Sequence, residues 1–351
     1  ATRRENGKTV LSEWAGQEGG FAEVTEGWLS SLELDCGEWF DVKLMENAAG
    51  AQYLYAGYVA EGEEEYRGHL WKGQGEQASD ITPQKWTVLN EEWGMYERIL
   101  GLAALQDGTL AALSYLSMDV LSGEDGSVLS SEPVSGQYEE LVVSDGENVY
   151  LCASEGSGIQ IEKRGSSTES IPFPTDSTGG VNLCAAEDGT IITAGGDGIF
   201  RRRPGESEWE KLMNGSETDF ALTGCWCIGL TALEDGRIYG LYRESDGGGK
   251  LNRYAYDPDA VIEVTQELKL YTVCESYLLQ QAAVMYHKEH PEVLITIQYA
   301  YPAYYSEETD YNAVYKGLNT MLMGDSAPDI LVMDHLNMDS YIEKGLLADI
   351  R

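Results

Sequence analysis

Four Asp-Gly pairs, each set between two apolar runs, constrain this chain more than any other feature. They begin at Asp107, Asp145, Asp188 and Asp235 and lie 38, 43 and 47 residues apart. The segments that hold them read ILGLAALQDGTLAALSY, LVVSDGENVYLCAS, VNLCAAEDGTIITAGG and IGLTALEDGRIYGLYRE. Asp-Gly suits a tight hairpin, because glycine accepts positive φ and aspartate tolerates the left-handed region. Further strand-like runs follow, GIQIEKRG, GIFRRRPG and KLNRYAYD. Four short strands per unit, at a period of about 40–45 residues, predict the blades of a β-propeller.

An earlier unit fits the pattern less neatly. Its strands are AQYLYAGYVAEG and YRGHLWKGQ, with DITP (80–83) as a candidate outer strand. That gives five blades within residues 28–264, and six remains open. Residues 28–35, WLSSLELD, are strand-like and could supply the outer strand of the last blade. Pairing the two ends of the chain in this way would remove exposed edges. Residues 1–27 carry many charges and little periodicity and read as an irregular lead-in. A β-sandwich of similar strand length is the alternative, and the regular Asp-Gly spacing favours the propeller.

Composition excludes several functions. The 351 residues hold 23 Lys+Arg against 60 Asp+Glu, a net charge of −37. Nucleic acid is a poor partner, since phosphate backbones are bound by Lys and Arg. An anionic membrane surface is disfavoured for the same reason. Such an exterior keeps a protein soluble and monomeric. From Gln266 onward 13 acids face 5 bases, so both halves of the chain are acidic. No apolar run reaches the roughly 18–20 residues of a membrane span. The opening ATRRENGKTV is polar, unlike a signal peptide.

Of six cysteines, Cys152, Cys184 and Cys227 sit in apolar runs, where cysteine acts as a small buried hydrophobe. Cys225 and Cys227 would share a strand face, which makes a bridge between them awkward. The four histidines stand at no ligand spacing from the cysteines, so no metal and no cofactor are expected. There is no nucleophile elbow, HExxH or P-loop, and GGDGIF has the wrong spacing for a dinucleotide loop.

After residue 264 the pattern changes. LKLYTV, VLITIQYA and ILVM read as strands covered on both faces. Residues 276–290 carry a one-sided apolar spacing that predicts a helix, ended by Glu289-His290-Pro291. Further helices are expected before Ala327-Pro328-Asp329 and at 341–347, with Gly345 near the cap. This β-α-β-α-β-α order builds a parallel sheet.

Pro328-Asp329-Ile330 and Tyr341-Ile342-Glu343-Lys344-Gly345-Leu346-Leu347 stand in an order that resembles the first lobe of an extracellular solute-binding protein, the receptor of an ABC importer. The resemblance covers about 85 residues, and it implies a periplasmic-binding-protein-like α/β domain over 265–351 that is incomplete. It further implies an extracellular, cell-surface protein, lipid-anchored in its full-length precursor, with an oligosaccharide as solute and importer membrane subunits as partners.

Ligands of open α/β sheets lie beyond the carboxyl ends of the strands. That rule selects Cys274, Glu275 and Ser276 after the first strand. It selects Tyr299, Tyr301, Tyr304 and Tyr305 at the second, and Asp334, His335 and Asn337 after the third. Tyrosine rings with carboxylates and amides suit a sugar. Ser276, Asp334 and Asn337 could equally be helix caps. The leading expectation is therefore a non-catalytic, monomeric solute receptor with an added propeller and no membrane insertion of this chain. A propeller-based protein- or glycan-interaction module is the alternative. A propeller glycosidase, which would need two carboxylates about 5–10 Å apart, is the weakest.

Overall fold

A computed structural model describes residues 2–348 except 6–7, 12, 18–19, 25–26, 35, 48, 61–64, 92–93, 95, 135–136, 156–157, 166, 176–181, 216–217, 223–224, 234, 245–247, 258–263, 302–309, 325 and 335. The chain is a five-bladed β-propeller of mainly antiparallel sheets. Five short strands come first: β1 (Thr2–Glu5), β2 (Lys8–Leu11), β3 (Glu13–Gln17), β4 (Gly20–Val24) and β5 (Glu33–Leu34). Blade one is β6 (Cys36–Glu46), β7 (Gln52–Ala60), β8 (Tyr66–Gln74) and β9 (Gln77–Asp80). Blade two is β10 (Ile99–Ala104), β11 (Thr109–Ser114), β12 (Ser117–Ser122) and β13 (Val128–Pro133). Blade three is β14 (Gln137–Ser144), β15 (Val149–Glu155), β16 (Gly158–Arg164) and β17 (Glu169–Pro172). Blade four is β18 (Asn182–Ala185), β19 (Ile191–Gly195), β20 (Gly198–Arg202) and β21 (Glu210–Asn214). Blade five is β22 (Cys225–Ala232), β23 (Arg237–Glu244) and β24 (Gly249–Ala255).

The Asp-Gly pairs form the β10–β11, β14–β15, β18–β19 and β22–β23 turns. Gly108, Gly146, Gly189 and Gly236 have φ of 85°, 96°, 80° and 82°. In each turn the aspartate Oδ1 accepts a backbone N–H two residues on, from Thr109, Glu147, Thr190 and Arg237 at 2.9, 2.9, 2.9 and 3.1 Å. Asp145 also accepts from the Asn148 N–H and amide and from the Tyr150 hydroxyl. Burial works to raise its pKa, but these donors outweigh it and hold the carboxyl below its usual range.

Burial follows from blades packing face to face. In β10 and β11 consecutive residues are buried, because both faces are covered, whereas every residue of the outer strand β13 is exposed. Tyr53, Tyr55 and Leu70 of blade one pack with Ile99, Leu110 and Leu121 of blade two. Leu100 and Leu113 on the other side of blade two meet Val142 and Leu151 of blade three. Tyr150, Cys152 and Ile161 then meet Leu183 and Ile191 of blade four.

The N-terminal residues depart from expectation. Residues 1–27 are not an irregular lead-in: β1 pairs antiparallel with β2, and β3 with β4. Backbone pairing creates these strands although side-chain periodicity is weak. Residues 28–35 give the last blade no outer strand. Trp28–Ser31 is a 3-10 turn and β5 pairs with β2. Trp28 and Leu29 are drawn instead onto blade one, against Leu54, Ala56 and Trp71. The Trp28 ring lies where a Cβ on Gly73 would fall, and its Nε1 donates to Gln52 Oε1 at 2.8 Å. The outer strand of blade one is Gln77–Asp80, so the DITP run shares only its first residue, Asp80, with that strand.

The C-terminal segment holds β25 (Gln266–Cys274), α1 (Tyr277–Glu289), β26 (Val293–Tyr301), α2 (Tyr311–Leu322), β27 (Ile330–Leu331) and α3 (Met338–Glu343). Its sheet has the order β26-β25-β27, and β25 is parallel to both neighbours. Tyr271, Leu318 and Tyr341 form its core. This is not the periplasmic-binding-like lobe that the sequence led us to expect. The third strand is two residues long and meets only Leu270 and Tyr271. A β-α-β-α-β order is a general way to build a parallel sheet, so it does not single out one family.

Two compact units divide the chain. One comprises residues 1–193, 201–209 and 231–234, the other residues 194–200, 210–230 and 235–351.

Blade one carries an acid-sensitive contact. His69 Nδ1 lies 3.8 Å from Asp80 Oδ2, and Thr82 donates both its N–H and its hydroxyl to Asp80 Oδ1. The His69 imidazole, helped by Thr82, lowers the Asp80 pKa to about 2 against the opposing effect of burial. A carboxylate depressed in this way stabilises the fold fully above its unfolded value near 3.8. That contribution is lost as pH falls from there through about 2. We expect His69→Leu to move the Asp80 titration, followed by carboxyl NMR, back toward its ordinary value.

Glycine substitutions test blade packing. Gly126 has φ of 70°, and a Cβ there would lie 1.7 Å from the Ile81 carbonyl oxygen of the preceding interblade loop. Gly108 has a similar φ but open space around it. Gly108→Ala should cost roughly 1 kcal/mol of backbone strain, and Gly126→Ala roughly 3 kcal/mol or more. Equal losses in thermal unfolding would refute the backbone clash.

Candidate functional site

The carboxyl ends of the parallel strands gather some of the residues selected from sequence. Cys274 stands opposite Tyr301 across β25 and β26, and the Glu275 N–H donates to the Tyr301 carbonyl at 2.8 Å. The Glu275 carboxylate accepts from Gln280 Nε2 at 3.1 Å. Tyr301 donates its hydroxyl to the Asp310 carbonyl, and its ring lies 6.4 Å from that of Tyr311. Tyr299, on the same strand face, is 45% exposed. Burial, with the nearby Glu275 and Asp197 carboxylates, raises its pKa.

Other selected residues have structural work. Ser276 caps α1, its Oγ accepting from the Leu279 N–H at 3.4 Å. Asn337 caps α3 by accepting from the Ser340 N–H at 3.2 Å. Asp334 is exposed beyond β27. Tyr304, Tyr305 and His335 lie outside the described residues.

A second constellation, which the sequence reading missed, lies at one end of blade two. There the loop entering β10 meets the turn between β11 and β12. Ser114 Oγ accepts the N–H groups of Leu116 and Ser117 at 3.1 and 3.0 Å and donates to Glu97 Oε1 at 2.5 Å. Ser117 Oγ lies 3.0 Å from Asp119 Oδ1 and 3.3 Å from Glu97 Oε1. Ser131 donates to Asp119 Oδ1 at 2.6 Å. Lys85, from the 3-10 turn Gln84–Thr87, forms an ion pair with Asp119 and lies 3.4 Å from Glu97 Oε2. Asp119 is only 1% exposed, so this cation and these hydroxyls take the place of the water its carboxyl group has lost.

The outcome of this polar knot is a rigid turn with apolar residues on the outside. Tyr115 is 60% exposed and Leu116 is also exposed. Val88 and Leu89, just after the turn that carries Lys85, are exposed as well. One signal was present in the sequence. Tyr-Leu occupies a hairpin tip where Gly, Asn or Asp is usual. Ser114 supplies the turn chemistry instead.

Among the described residues no group of three or more His, Cys, Asp or Glu is placed to hold a metal ion. No described helix is long and apolar enough to cross a membrane.

No family model matches the sequence, and no curated protein does. Among solved structures, the chain is similar to the extracellular domain of a one-component system from Bacteroides thetaiotaomicron. The identity is 13%, with 63% of this chain and 29% of that one covered and a TM-score of 0.36. It is similar to the α-L-arabinofuranosidase Arb93A from Fusarium graminearum at 11% identity, with coverage of 70% and 84% and a TM-score of 0.43. A streptogramin B lyase structure is similar at 14% identity, with coverage of 72% and 91% and a TM-score of 0.41. The chain spans less than a third of the first of these proteins.

The resemblance to an ABC importer receptor is therefore corrected. The fold is a five-bladed propeller of mainly antiparallel sheets, and no family model matches the sequence. The incomplete lobe falls with it, and the lipid anchor and the importer subunits, implied by that resemblance alone, lose their support.

The polar knot makes a direct prediction. Lys85→Met leaves Asp119 and Glu97 facing each other without a counter-charge. Breaking a buried pair by removing one partner typically costs about 3–5 kcal/mol. Denaturant unfolding of the variant should show a loss of that order, with partial recovery when Asp119→Asn is added. A loss well under 1 kcal/mol would show that the knot does not hold the turn.

Proposed function

We propose that this chain is a non-catalytic interaction module that takes a protein or glycan partner on the β11–β12 end of its second blade. One observation supports this above the rest. Tyr115 is a largely exposed aromatic on a turn already fixed by hydrogen bonds and an ion pair. An anchor ordered before binding loses little entropy on docking. Its ring offers a face for a sugar or an apolar side chain, and its hydroxyl a hydrogen bond. Val88, Leu89 and Leu116 extend the apolar surface.

The net charge of −37 favours neutral or cationic partners over nucleic acid. The Glu97 and Asp119 carboxylates are nearly closed from water and tied to Lys85, which supports a structural role for them over acid–base chemistry. The reading keeps a monomer outside the cell, with the antiparallel blades within 28–264 and the parallel sheet over 265–351 as separate modules. A neutral oligosaccharide is the first ligand to try.

Calorimetric titration of neutral oligosaccharides against the wild type and Tyr115→Ala tests the proposal. Loss of this anchor should weaken a bound glycan about tenfold or more. If no sugar binds, a photo-crosslinker at position 116 should capture a protein partner whose affinity falls in Tyr115→Ala. Binding that is indifferent to Tyr115, or silence in both arms, sinks the proposal.

A further inference from the structure

We infer that Asp219 is the centre of a buried ion-pair clasp that fixes helix α1 on the fifth blade, so that the two open and close as one cooperative piece. Asp219 begins the 3-10 turn Asp219–Ala221, just before β22, and is 2% exposed. Its Oδ1 pairs with Lys288, near the end of α1. Its Oδ2 pairs with Lys250 of β24 and accepts from Asn252 Nδ2 at 2.5 Å. The Asp219 N–H donates to Tyr254 Oη at 3.2 Å, and that hydroxyl lies 2.8 Å from Tyr242 Oη. The neighbouring Phe220 ring lies 5.2 Å from Tyr242 and 5.7 Å from Tyr254. One carboxylate thus joins a helix of the parallel-sheet segment to strand β24 of the antiparallel blade, and the Tyr254–Tyr242 contact extends the link to β23.

The helix has a separate grip on its own sheet. Val284 and His287 are buried, and His287 Nδ1 lies 2.9 Å from the Val293 carbonyl. Segment and blade are therefore each internally bonded, and the Asp219 group is a polar bond between them. Its two sides are unequal. The lysine side chains are 40% and 42% exposed and can turn to water, whereas the carboxylate cannot. Removing both lysines strands a buried charge, while neutralising the carboxylate frees the lysines into solvent. The first change should do more damage. The inference does not depend on what blade two binds.

Hydrogen exchange on the intact chain tests it. The Lys250→Met/Lys288→Met variant should speed exchange in α1 and in β23–β24 together, by roughly a hundredfold, with Asp219→Asn giving roughly tenfold. The β10–β13 amides should stay protected in both. Faster exchange in α1 while β23–β24 stays protected would overturn the coupling, as would no change in either. Should the double variant fail to fold, Lys288→Met alone makes the same comparison with a smaller rise, because Lys250 stays on the carboxylate.

Discussion

The structure depends on apolar packing of one antiparallel sheet against the next. A blade in the middle of such a stack has no solvent face. Its inner strands must be apolar at successive positions, as Ile99 and Leu100 are, and as Leu110, Ala111, Ala112 and Leu113 are. Polar residues gather mainly at the outer strand and at the two ends. Val128–Pro133 shows the first, and the Asp-Gly turns with the Ser114–Ser117 hairpin show the second. Hydrophobic burial at roughly 25 cal/mol per Å² then carries stability, while the turns set register.

The ends of the blades use polar chemistry in two ways. The Asp-Gly ends solve a backbone problem, since each aspartate takes up N–H groups that the tight turn leaves without a strand partner. At the opposite end of blade two, Lys85, Glu97 and Asp119 with their serines fix a turn whose tip, Tyr115-Leu116, holds no turn former. That leaves Tyr115 and Leu116 free to face water. A rigid apolar tip on a strongly acidic protein is a reasonable docking device, and it needs no catalytic group.

Much of this plan was legible beforehand. The Asp-Gly pairs mark four hairpins, and the apolar runs beside them mark the buried strands. The parallel order of the last segment follows from two long apolar runs and the helical spacing between them, although β26, expected to be buried, has only Val293 out of water. Family assignment fared worse. The motifs around Pro328 and Tyr341 are compatible with any short α/β run, and the third strand proved only two residues long. Ser276 and Asn337, selected as ligand contacts, are helix caps, because the first turn of a helix needs acceptors for its N–H groups wherever the helix lies.

The sequence by itself determined the local elements: hairpins where aspartate precedes glycine, strands where apolar residues run together, helices where they recur at helical spacing. These depend on neighbours within a few residues. Only the tertiary structure decided that Trp28 and Leu29 lie on blade one instead of completing the last blade. It alone brought Lys85, Glu97 and Asp119 together, and set Asp219 between Lys250 and Lys288. Such groups are 12 to 69 residues apart in pairs. Their attraction becomes strong only once packing has taken the carboxylates out of water, and nothing in local spacing records it.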